Sequence, residues 1–338
     1  MKEEHLTKDM FQPVEKSEYD LENISRPSIG FWRDAWRRLF KNKGSVVGLI
    51  LIIFSIFMAI FGPSMNDYGF NDQNPVRQYL PPRVPVLENI HWLGLDGVDF
   101  SGESPYLTRG GFEDSYFWFG TDSLGRDVWT RVWRGTRISL YIAFLAAAID
   151  LLIGVVYGGV SAYYGGKVDN VMQRIIEVLI GIPNLIVIIL FILWLQPGIL
   201  SITLALVITG WVSQARIVRG QILKLKSDEF VLSARTLGGD GPRIIFKHLV
   251  PNTLGQIIIT SMFTIPNAIF FEAFLSFIGL GIAPPEASLG SLTREGYESL
   301  QIYPYLCFFP AAVISLLMIS FNLLADGMRD AFDPKMRR

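Results

Sequence analysis

Six runs of about 20 mostly apolar residues, with the charges gathered between them, limit what this chain can fold into. They cover residues 44–62, 139–163, 172–195, 200–221, 253–281 and 304–324. In a bilayer, a segment of this kind must satisfy its backbone N–H and C=O groups internally, so each run is expected to be a helix, with its Gly and Pro tolerated. A soluble alternative fails on composition. Of the 338 residues, 50% are hydrophobic and 18% charged, and the mean hydropathy is +0.35. The expected fold class is therefore an all-α polytopic membrane protein with six transmembrane helices.

The distribution of Lys and Arg orients the spans, because cytoplasmic flanks carry the excess of these residues. Arg33, Arg37, Arg38, Lys41 and Lys43 precede the first span. Lys224, Lys226, Arg235, Arg243 and Lys247 lie between the fourth and fifth, and Arg329, Lys335, Arg337 and Arg338 follow the sixth. An even span count places all three clusters on one side, read as the cytoplasm of a bacterial cell, with both termini there. The outer loop at 196–198 has no basic residue, and the one at 282–303 has only Arg294. Arg126, Arg131, Arg134 and Arg137 run against the rule, but they end a loop of about 75 residues, and long loops escape it. The division expected is a cytoplasmic tail at 1–43, a first transmembrane helix at 44–62 and an extracellular loop at 63–138. A five-helix core at 139–328 follows, with a cytoplasmic loop at 222–251, and then a tail at 329–338. The first apolar run starts too late, and lacks the cleavage pattern, for a secretory signal. Trp32, Trp36 and Phe40 recur every four residues with Arg33, Arg37, Arg38 and Lys41 on other faces, as in a helix lying in the headgroup region of the lipid bilayer. The single cysteine, Cys307, rules out an intrachain disulfide and a cysteine-based metal cluster.

The search for chemistry is largely negative. Gly165-Gly166-Lys167 is followed by Val168 and has Ser161 where a phosphate loop needs its first glycine, so it fails at both ends. There is no His-Glu-x-x-His and no Gly-x-Ser-x-Gly. His5, His91 and His248 are too far apart in sequence to suggest a metal site, and nothing points to nucleic acid. No catalytic residue is assigned. What remains is the set of costly ionisable groups inside the spans, Asp150, Glu177 and Glu272, which either tie helices together or line a hydrophilic path. Pro183-Asn184 and Pro266-Asn267 interrupt two spans, with asparagine able to satisfy backbone groups that proline frees. Broken helices of this kind also occur at the midplane sites of secondary transporters, so a self-sufficient, proton-coupled transporter is the rival reading.

The polar interruption at 227–251 has internal order. Residues 228–237 suit a short helix with Phe230, Val231, Ala234 and Leu237 near one face. Gly238-Gly239 can end it in a positive-φ turn. Asp240 is placed to cap a second helix with Pro242 in its first turn, running to Pro251, which opens the next span. Two short helices at an angle make a compact knob.

This loop resembles the EAA loop of binding-protein-dependent ABC-importer permeases, in which a glycine and a proline are separated as Gly238 and Pro251 are here. The Glu-Ala-Ala positions read Leu232-Ser233-Ala234, so only the last alanine is kept. Residues 229–238 are similar to the peptide-transport pattern, with Phe230 and Ser233 as departures. Three more stretches resemble the second permease subunit of oligopeptide and dipeptide importers. These are Phe119-Gly-Thr-Asp-Ser-Leu-Gly-Arg-Asp127, Glu272-Ala-Phe-Leu-Ser-Phe-Ile-Gly-Leu-Gly281, and Asn322-Leu-Leu-Ala-Asp-Gly-Met-Arg-Asp330 with Asp333-Pro334. The resemblance runs from residue 31 to the end, and relatives of this kind also import nickel and other small solutes. It implies a complex with a homologous second permease, two ABC ATPase subunits and an extracellular lipoprotein or periplasmic binding protein that delivers oligopeptides. ATP and magnesium would then be held by the partner ATPases and none by this chain. The residues implied for ATPase coupling are Glu229, Phe230, Ala234, Arg235, Leu237, Gly238, Gly239 and Pro251. Asp150, Glu177, Asn184, Asn267 and Glu272 are the candidates for the translocation path.

Overall fold

The computed structural model of the chain describes residues 30–99, 101–109 and 111–332. Residues 1–29 of the N-terminal tail, including His5, and the C-terminal Asp333-Pro334, Lys335, Arg337 and Arg338 lie outside the described residues. Ten helices organise the described part: α1 (Phe31–Lys41), α2 (Lys43–Phe61), α3 (Val128–Tyr164), α4 (Gly166–Gly181), α5 (Asn184–Leu195), α6 (Ile199–Leu225), α7 (Glu229–Thr236), α8 (Gly241–Leu280), α9 (Leu289–Glu298) and α10 (Tyr305–Phe332). One-turn helices fill parts of the first long loop, and no strand forms among the described residues. Five of the helices, α2, α3, α6, α8 and α10, are each long and apolar enough to cross a membrane. The count reaches six when the bent pair of α4 and α5, which meet at 83°, is taken as one span.

The bend falls where Pro183-Asn184 is expected to interrupt the span at 172–195, and the helix before it starts earlier, at Gly166. Pro183 stands at the N-cap of α5 and has no N–H to carry α4 forward, so the axis turns there. The span expected from Ser139 begins at Val128 instead, with Asp127 accepting from the Thr130 backbone N–H as the cap. Arg131, Arg134 and Arg137 therefore belong to the first turns of α3 and not to the loop before it. Pro251 separates nothing either. The second helix of the 227–251 loop runs through a π-helical turn at Ile245–Leu249 directly into the span, and this wider turn precedes the proline that cannot donate a backbone bond.

Packing explains the alignment of the helices. α3 lies along α6, α2 along α10, and α8 against both α3 and α10, around a core that includes Val132, Ile142, Ile188, Ile202, Ile269 and Leu317. The side chains facing outward from α2 and α5 are apolar, for example Ile50, Ile53, Leu190 and Leu193. A helix that is apolar all round is suited to a bilayer and would be costly in water.

Contacts between chain ends sort the helix termini into two groups. At one end, the Asn42 side chain donates to Asp330, Lys226 Nζ donates to the Ala162 carbonyl at 3.1 Å, and Gly255 of α8 lies beside Phe332. This end gathers α1, α7 and the basic clusters of 33–43, 224–247 and Arg329. At the other end, Trp129 Nε1 donates to the Gly62 carbonyl at 2.9 Å and Arg137 Nε to that of Ala59, also at 2.9 Å. Tyr305 closes this end by donating to the Thr121 carbonyl.

The long first loop is an irregular cap with its own small core of Leu80, Tyr106 and Phe117. The Arg77 guanidinium lies over the rings of Tyr68, Phe112 and Phe117, and the Tyr106 hydroxyl donates to the Pro81 carbonyl at 2.7 Å. Burial pushes the Tyr106 hydroxyl well above its ordinary pKa. The 119–127 motif anchors this cap to the bundle. Asp122 accepts from Arg126 Nε at 2.7 Å and from Arg131, and Arg131 also donates to Glu295 on α9 at 2.8 Å. All of Asp122, Arg126 and Arg131 are buried, so two of the four arginines that ran against the orientation rule are held in ion pairs here. Beside them, Arg134 holds the Glu286 carboxyl below the usual range.

Candidate functional site

Two places in the bundle bring sequence candidates together. The first is a cavity of about 320 Å³ where α3, α5, α6 and α8 converge. Its polar lining is Asp150, Asn184, Thr209, Ser213, Thr264 and Asn267, and the apolar remainder includes Ala146, Leu206, Ala268 and Phe271. Three of the five path candidates, Asp150, Asn184 and Asn267, thus share one chamber. Only one of the two Pro-Asn pairs breaks its helix, because α8 runs on through Pro266. Pro183 swings α5 so that Asn184 faces α6, where it accepts from the Thr209 hydroxyl, and Pro266 in α8 precedes Asn267. Asn184 therefore partners a side chain on another helix. Gly210 lies opposite Asp150, and a Cβ at that position would collide with the Asp150 carboxyl. The absence of a side chain there makes room for the acid.

The other two path candidates do not reach the cavity. Glu177 is exposed on α4 and paired with Arg174 one turn away. Glu272 is 0% exposed, and its oxygens are taken by Ser139 Oγ at 2.7 Å and Ser276 Oγ at 2.8 Å. Ser276 in turn accepts from Ser288, whose hydroxyl is also held in the cap of α9. Glu272 thus ties α3, α8 and α9 together. Sequence reading missed Thr209, Ser213 and Thr264. The signal was present as hydroxyls on otherwise apolar helices, with Thr209 and Ser213 four residues apart on one face.

The second place is the knob at the end of the bundle that also holds α1. Val231 of α7 is fully buried with Ala162, Val218, Ile222, Ile244 and Leu249, and the Arg235 guanidinium stands 4.9 Å from the Tyr163 ring centre. The helix ends in a Schellman turn. Gly238 has φ +81, its N–H donates to the Arg235 carbonyl at 2.9 Å, and the Gly239 N–H donates to Ala234 at 3.0 Å. Asp240 is at the N-cap position of the next helix but makes no side-chain capping bond, and Pro242 is in its first turn. The expected common face of Phe230, Val231, Ala234 and Leu237 is not what forms. Val231 points inward and Ala234 is half-buried, whereas Phe230, Leu232 and Leu237 are exposed, Leu237 to 88%. Glu229 and Gly238 are exposed too, and so is Pro251 at the start of the span. The knob is fixed by Val231, Ile244 and Leu249 and by a closed turn, and α7 leaves an apolar surface uncovered.

The sequence matches the profile of the binding-protein-dependent transport system inner membrane component over residues 151–338. It also matches the N-terminal TM domain of oligopeptide transport permease C over residues 30–82. The chain belongs to the family of binding-protein-dependent transport permeases. It is 42% identical to the oligopeptide transport system permease protein OppC of Bacillus subtilis, over 99% of this chain and 100% of that one. It is 45% identical to the dipeptide transport system permease protein DppC of the same organism, over 94% of this chain and 90% of that one. With the Lactococcus lactis DppC the identity is 42%, over 98% of each. Membership in this family supports the ABC-permease reading over a self-sufficient secondary transporter. It also agrees with the helices in marking the chain as a multi-pass membrane protein.

Proposed function

We propose that this permease is one of two homologous transmembrane subunits of an ATP-driven importer of peptides. Two ABC ATPases would work on its cytoplasmic side and a binding protein would deliver peptide from outside. Both termini and the knob are then cytoplasmic, and the cap at 63–127 faces the binding protein. ATP and magnesium belong to the ATPases, and this chain would carry no catalytic residue. The observation that carries the reading is the knob, a rigidly held helix with Phe230, Leu232 and Leu237 outward, which suits insertion into a groove of a partner. Closure of the ATPases would move it only through contacts that differ between their two states. Val231, packed against α3, α6 and the start of α8, passes such a displacement to the helices that line the cavity. Amide and hydroxyl groups around one carboxylate suit an amide-rich solute better than a bare divalent ion such as nickel, which would need several charged oxygen or nitrogen ligands. The resemblance to both oligopeptide and dipeptide permeases supports peptides as the class.

Gly238→Pro tests the coupling role. Proline cannot adopt the positive φ and removes the N–H that bonds Arg235. Uptake of a radiolabelled tripeptide is expected to be lost while the chain remains in the membrane fraction. Normal uptake would remove the knob from the mechanism, and a charge introduced by Ala234→Asp is expected to act in the same direction.

A further inference from the structure

Asp150 is the odd group of the cavity. The residue is 4% exposed, and its Oδ1 is buried without a hydrogen-bond partner. The other polar lining groups, Asn184, Thr209, Ser213, Thr264 and Asn267, are all neutral. On α6, Arg219 is held by both oxygens of Asp169, at 2.7 and 2.6 Å, and Arg216 is exposed. Gly210 keeps space open in front of the carboxyl, and one turn further along α6 the buried Gln214 Nε2 also has no partner. A carboxyl group kept in an apolar bundle without a cation is costly, and the cost falls when a positive partner arrives. Arginine serves this purpose elsewhere in the chain, as Arg131 and Arg126 do for Asp122. Here no residue among those described does so. One carboxyl among neutral hydroxyl and amide groups matches a primary ammonium, a single charge with three N–H donors, more closely than a divalent ion, whose two charges a lone carboxylate only half balances.

We propose that Asp150 receives the terminal ammonium of the peptide during passage, with Asn184, Thr209 and Asn267 placed to meet its first backbone amides. The chain would then recognise a free amino terminus at the membrane step itself. This rests on the peptide-import reading.

The test uses the complete importer in cells, with wild type, Asp150→Asn and Asp150→Glu, and the amount of assembled complex measured by co-purification. Uptake of trialanine is compared with uptake of N-acetyl-trialanine, which lacks the ammonium. Asp150→Asn is expected to reduce the preference for the free-amine peptide by about tenfold, the size of one charge-assisted hydrogen bond, with Asp150→Glu restoring most of it. An unchanged preference overturns the proposal. So does an equal fall for both peptides, which would make Asp150 a structural or proton-carrying group. If assembled wild type takes up neither peptide, the import reading itself fails and this role goes with it.

Discussion

The serine-lined pocket around Glu272 and the cavity around Asp150 hold the same chemistry in opposite states. Both are carboxylates inside apolar helices, and both are buried. Glu272 receives hydrogen bonds from Ser139 and Ser276 and closes a seam between three helices. Asp150 has an oxygen with no partner and borders open volume. An acid in a span is therefore not functional by virtue of its position. Whether its neighbours satisfy it decides between a rivet and a receptor, because a buried polar group that lacks partners retains the capacity to bind something else.

This contrast can be broken by measurement. The largest effect is expected for Glu272→Ala, which strands Ser139 and Ser276 and opens a void. It should cost about 3 kcal/mol and lower the thermal unfolding midpoint in detergent markedly. Next comes Gly210→Ala, whose methyl group would press on the Asp150 carboxyl. A cost of about 1–3 kcal/mol is expected from overpacking, with peptide uptake falling along with it. Asp150→Asn should change stability by less than about 1 kcal/mol, since no native bond to its Oδ1 is lost. A midpoint as low as that of Glu272→Ala would show that the two acids are alike and dissolve the comparison. The smallest effect is assigned to Glu177→Gln. Its pair with Arg174 is solvent-exposed, so a change within about 0.5 kcal/mol and normal uptake are expected. Lost uptake with that variant would mean the path reaches α4.

The two loops differ in a related way. The 119–127 segment is enclosed, with Asp122 and Arg126 paired with each other and with Arg131 and Glu295, while α7 shows Phe230, Leu232 and Leu237 to its surroundings. Both were visible in the sequence as motifs, and only contact separated the brace from the surface left open for a partner. The knob was nearly legible from local chemistry. Gly238 ended its helix as the glycine pair suggested, and Pro242 began the next. The side-chain orientation was not legible, because Val231 turns inward only on account of Ala162, Val218 and Ile222, which come from other helices.

The sequence by itself determined that this chain is a bundle of membrane-length helices, where most of them lie, and that a short helical knob interrupts them. Length, apolar periodicity and turn residues act over a few neighbouring positions, and these are what a linear reading contains. Tertiary structure decided that α3 starts at Val128, that α4 and α5 meet at 83°, and that Asp150, Asn184 and Asn267 share a chamber while Glu177 and Glu272 do not. The members of that chamber come from four helices far apart in the chain. Which of them meet depends on the bend at Pro183 and on the close fit of Gly210 against Asp150. Proline marks the break locally, but no local pattern encodes the direction of the bend or the partner that Gly210 admits.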